Sequence, residues 1–137
     1  MIFHGTVVLL IGLLAGFPFL LGIVSGAEQR RVDAWRAAHT GLCSSGVMGI
    51  AIGACVLHWQ ATGTLATVTA WGIVVGSYGI TVAMTLAAIS GARGLKAGGS
   101  LVNNLVYASY MIGVPGVLAG TGAFLLLALD RVGTGIA

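Results

Sequence analysis

Charge is what this sequence lacks most. Among 137 residues there are six Lys or Arg and three Asp or Glu, 7% in all, against 58% hydrophobic residues. A water-facing domain carries about a quarter charged residues, so this chain is composed to face lipid. The three acids, Glu28, Asp33 and Asp130, all fall at the ends of apolar runs. That excludes paired-carboxylate chemistry in a membrane interior and a carboxylate proton relay. Cysteine is scarce: Cys43 and Cys55 share one run, about 18 Å apart along a helix, and cannot bridge each other. There is no phosphate-binding Gly-rich loop, no dinucleotide fingerprint and no Cys-x-x-Cys pair, and nothing implies nucleic acid as a partner. The two prolines, Pro18 and Pro115, lie inside apolar runs and are expected to kink helices there. A basic segment before the first run is missing, and that run exceeds the apolar core of a signal peptide, so it reads as a retained helix.

What is present is four apolar runs, roughly 3–25, 36–59, 65–90 and 101–129. Each is long enough to cross about 30 Å of hydrocarbon at about 1.5 Å per residue. Lipid forces every backbone group to be satisfied internally, so the fold class is all-α: one transmembrane domain over 1–137, a four-helix bundle. The first break is charged, with Glu28, Arg30, Arg31 and Asp33, and Arg36 just beyond. The second, Gln60 to Thr64, has no charge, and the third holds Arg93 and Lys96 among glycines. Five of the six basic residues thus share one side with the first and third breaks. The positive-inside rule makes that side cytoplasmic and puts both termini outside. The 23 glycines fall within apolar runs and recur as Gly-x-x-x-Gly at 12/16, 22/26, 49/53, 72/76 and 116/120. Such spacing predicts close helix contacts.

An ionisable side chain inside a spanning helix is a functional-site hypothesis. His4 begins the first run and His58 ends the second, which suits interfacial residues wetted at helix ends. His39 lies one turn inside the second run, on the basic side. The helix face through His39 also carries Cys43, Gly46, Ile50 and Gly53. That smooth face suits two structures equally: a flat macrocycle lying along it with imidazole on its metal, or a plain glycine contact with another helix. A haem needs an axial imidazole in an apolar slot and cations for its propionates. Trp35 and Arg36 stand within a turn before His39, which favours the macrocycle, although the same cations also set topology. Asn103, Tyr107 and Tyr110 share a face of the fourth run, with Tyr78, Thr81 and Thr85 on the third and Ser45 on the second. They can line a pocket or serve as interhelical hydrogen-bond glue.

The stretch Trp35-Arg36-Ala37-Ala38-His39-Thr40-Gly41, continuing through Ser45-Gly46, Met48 and Ile50-Ala51, resembles the microbial styrene oxide isomerases. His4-Gly5 and Arg93-Gly94-Leu95 match as well. These are small four-helix membrane enzymes containing haem. The resemblance implies a homotrimer in the bacterial inner (cell) membrane, with ferric haem b at each subunit interface and His39 as its metal ligand. Beside that resemblance, the residues' own placement makes Trp35, Arg36, Cys43 and Gly46 the candidates around the cofactor, and Ser45, Tyr78, Asn103 and Tyr107 the candidate groups at the substrate. The implied reaction converts a small hydrophobic epoxide to an aldehyde by hydride shift, with iron as Lewis acid. Two departures stand out: Ser45 occupies the place of a family Asn, and the family's pocket Tyr on the third helix has no ungapped match, with Tyr78 or Met84 falling nearest. The substrate site is therefore less well matched than the haem site. The residues by themselves also admit a non-catalytic b-haem electron-transfer subunit, or a structural subunit of a larger membrane complex.

Overall fold

A computed structural model describes residues 1–133 and contains four α-helices: α1 (Ile2–Val24), α2 (Gln29–His58), α3 (Gly63–Ser90) and α4 (Leu101–Gly133). Each is long and apolar enough to cross a membrane. Large apolar side chains cover the outside, including Leu10, Leu13, Phe17, Leu20 and Leu21 on α1, as lipid-facing helices require. Helix α1 runs through Pro18 and α4 through Pro115.

The first charged break differs from the sequence reading. Residues 29–35 extend α2, so Arg30, Arg31 and Asp33 lie on its first turns and not in a loop. Helix-spaced pairing holds this segment: Gln29 Nε2 donates to Asp33 Oδ1 at 2.9 Å, and Arg36 pairs with Asp33 at 3.0 Å. Apolar run length cannot see a helix that continues into the headgroup layer, because charge ends the run without ending the helix. As a result His39 sits almost three turns inside α2, not one.

Glycine sets the packing. A Cβ on Gly12 would stand 2.6 Å from the Cys43 amide nitrogen, and one on Gly46 would stand 2.7 Å from Leu9 Cα. Helices α1 and α2 therefore touch backbone to backbone. The α3–α4 pair does the same: a Cβ on Gly72 would lie 2.7 Å from Gly120 Cα, and one on Gly79 the same distance from Gly113 Cα. These two seams are extensive, whereas α2 meets α3 over a much smaller area and α1 touches α3 only slightly. The chain is thus two tight hairpins joined along a thin α2–α3 seam. Of the predicted glycine pairs, Gly22/Gly26 does not pack in this way. Gly26 has φ +65° just past the end of α1 and nothing within 4 Å of its Cβ position, which is a helix-terminating role.

Candidate functional site

His39 projects from α2 toward α1. Its Nδ1 lies 2.8 Å from the Gly12 carbonyl oxygen. A carbonyl can only accept, so Nδ1 carries the proton and donates, and Nε2 keeps the free lone pair. This is the tautomer and the restraint that metal-bound histidines use. Gly16 makes room for the ring, since a Cβ there would stand 3.1 Å from Nδ1 and 3.2 Å from Cε1. Phe19 stacks on the imidazole with ring centroids 6.2 Å apart and 23° between planes. The Arg36 guanidinium lies 5.5 Å from the Phe19 centroid and is also paired with Asp33. Cys43 Sγ is 3.9 Å from His39 Nδ1, beside the same seam.

The glycine face through His39 is not an empty slot. Helix α1 covers it at Cys43, Gly46 and Gly53, the last meeting Ile2. A macrocycle cannot lie along that face within one chain, because its surface is already spent on helix contact. Ligation by His39 would have to come from the edge of the half-buried ring. Trp35 is turned to another duty, packing against the buried cluster of Ala15, Ala38 and Ala88.

The substrate-side candidates separate into two groups. Ser45 Oγ donates to Ser77 Oγ at 3.3 Å across the α2–α3 seam, and Thr81 Oγ1 donates to the Ser77 carbonyl at 2.7 Å. Next to Ser77, the Tyr78 hydroxyl lies 3.1 Å from His4 Nδ1. His4 therefore pairs with the middle of α3 instead of being a wetted helix end. Ser77 is the polar partner that sequence reasoning missed, and the bond from His4 to Tyr78 is the pairing it did not foresee. Ser77 stands beside Tyr78 in an apolar run, but a lone serine there carries no signal until its neighbour on α2 is known. Asn103, in contrast, holds the 91–100 loop. Its Oδ1 accepts from the Gly94 amide at 3.0 Å, and its Nδ2 donates to the Lys96 and Gly98 carbonyls, each at 2.9 Å. Tyr107 lies under the same loop, where a Cβ on Gly94 would stand 3.0 Å from the Tyr107 nitrogen. Asn103 and Tyr107 are thus brought to the loop, apart from the Ser45–Ser77 seam.

Among the described residues, no group of three or more His, Cys, Asp or Glu side chains could hold a bare metal ion. A lone, oriented imidazole is what remains. A family model described as styrene oxide isomerase matches residues 1–129. The chain belongs to the styrene oxide isomerase family. Comparison with curated proteins and with solved structures finds no match. The match takes in α1 to α3, α4 as far as residue 129, and every candidate named above.

Proposed function

We propose that the protein is a membrane-bound epoxide isomerase that carries ferric haem b on His39. The observation that carries this reading is the His39 Nδ1 to Gly12 carbonyl bond at 2.8 Å, which fixes the ring and leaves Nε2 as a ligand atom. A porphyrin supplies four donors of its own, so one protein nitrogen suffices where a bare ion would need a cluster. Bound ferric haem would supply Lewis-acid stabilisation of the charge that develops on an epoxide oxygen as the ring opens. The reaction is rearrangement of a small hydrophobic epoxide to an aldehyde by hydride migration, with no net oxidation and no nicotinamide.

The chain's own residues contribute binding and exclusion of water. Arg36 is the guanidinium within one helical turn of His39, and it can turn from Asp33 to a propionate. Ser45 can position an oxygen through one hydrogen bond by turning its single hydroxyl hydrogen away from Ser77. Tyr78, oriented by His4, offers a phenol and an aromatic face, and faces of this kind stabilise nearby positive charge. The apolar surroundings keep water from capturing a benzylic cation as a diol.

His39 and Ser45 point to different sides of α2. Six residues at about 100° each put them about 120° apart, His39 toward α1 and Ser45 toward α3. A site that uses both is most simply built from two copies, the His39 of one and the Ser45 seam of the next. A head-to-tail contact whose rotation closes forms a ring, and we propose a homotrimer in the bacterial inner membrane. The test is the absorption spectrum of protein purified in detergent, with His39→Ala alongside. A haem band in the parent that His39→Ala loses supports the reading. A parent without haem, or with a six-coordinate bis-imidazole spectrum, overturns it.

A further inference from the structure

A cavity of about 570 Å³ opens at the basic end of the molecule, between α2, the end of α3, the 91–100 loop and α4. Its mouth carries Arg30, Arg31 and Arg93, together with Glu28. Below the mouth the walls turn apolar, with Ala34 and Ala37 on α2 facing Met84 and Ala88 on α3. Arg30, Ala34 and Ala37 follow one helix face, so the channel descends for about 10 Å along α2. Arg30, Ala34 and Ala37 lie about 140–180° around α2 from His39 and so point away from the imidazole, while Arg31, at about 80°, stands between the two.

The mouth is set for an anion. Arg30 Nη2 donates to the Gly91 carbonyl at 2.9 Å, which fixes the guanidinium without neutralising it. Among the described residues no ion pair joins Arg30, Arg31 or Arg93 to a carboxylate, and Asp33 is paired with Arg36 instead. Three cations against Glu28 leave the mouth at +2. Arg30 is in the first turn of α2 and Arg93 lies just past α3, at the ends of two helices long and apolar enough to cross a membrane. A soluble phosphate would gain nothing from the alanine channel beneath, whereas an acyl chain fills it.

We infer that this cavity binds an anionic phospholipid of the leaflet on the basic side, its phosphate at the guanidinium mouth and an acyl chain along the alanine wall. Guanidinium groups bind phosphate oxygens in pairs, and basic pockets between membrane helices on the cytoplasmic side take anionic headgroups. A zwitterionic lipid brings its own ammonium to a mouth that is already positive, and binds less well.

The test is native mass spectrometry of the full chain in detergent, titrated with phosphatidylglycerol and with phosphatidylcholine of identical acyl chains. Each mouth arginine contributes about fivefold, so phosphatidylglycerol is retained at least about tenfold more tightly. Arg31→Gln combined with Arg93→Gln brings the two lipids to near parity. Ala37→Phe, which fills the channel and keeps the charges, weakens both. Lys96→Gln, on the same side but outside the cavity, leaves the preference intact. Equal binding of the two lipids by the parent protein overturns the inference and requires no variant. A loss with Lys96→Gln as large as that of the double variant also overturns it, because surface charge then suffices. So does displacement of phosphatidylglycerol when the protein is loaded with haem, which would assign the cavity to the macrocycle.

Discussion

His39 illustrates what single residues reveal before a fold is known. Its identity and its place in an apolar run marked it as a candidate, but the Gly12 carbonyl that orients it is twenty-seven positions away. No sequence pattern encodes that bond; the α1–α2 seam creates it. His39→Ala is predicted to abolish haem binding, read as loss of the Soret band, while circular dichroism of the four helices is retained. Gly16→Ala is predicted to keep haem but shift its spectrum, because the added methyl presses on the imidazole at 3.1–3.2 Å. For the Ser45–Ser77 pair, each serine to alanine change removes one hydrogen bond worth about 1 kcal/mol. Turnover should fall roughly five- to tenfold with haem content unchanged, and the double variant should be little worse than either single one. Additive losses would show that the two hydroxyls act separately.

At the level of elements, apolar runs located all four helices, because lipid leaves the backbone no other solution. The N-terminus of α2 was misplaced because its first turns are charged and held by Gln29, Asp33 and Arg36, a pattern of pairing and not of hydropathy. Glycine spacing announced close packing without naming partners. The structure pairs α1 with α2 and α3 with α4, and gives Asn103 to the 91–100 loop, where a polar face had suggested a pocket wall. Gly76 and Gly122 test the packing argument directly. A Cβ on Gly76 would overlap Val117 and approach the Gly113 carbonyl at 2.9 Å, whereas Gly122 has nothing within 4 Å. Gly76→Val is predicted to destabilise the α3–α4 hairpin by about 1–3 kcal/mol, and Gly122→Val to change it by less than about 0.5 kcal/mol. Thermal unfolding in detergent reads both.

At the scale of the molecule, five of six basic residues gather at one end, which predicts both termini on the opposite, non-cytoplasmic side. A reporter fused after Ala137, which lies outside the described residues, should be active when it functions only after export and silent when it functions only in the cytoplasm. Assembly is the other whole-molecule prediction. With His39 and Ser45 on different sides of α2, haem-loaded protein should run as a trimer, and a haem-loaded monomer by native mass spectrometry would contradict a shared site. The central claim is the reaction itself. Its most direct test mixes purified, haem-replete protein with styrene oxide carrying two deuteriums on the terminal carbon, without reductant or nicotinamide. Mass spectrometry of the product should show phenylacetaldehyde that retains both deuteriums, one on the aldehyde carbon and one moved to its neighbour. Absence of aldehyde, a diol in its place, or loss of the migrating deuterium to solvent would contradict the account.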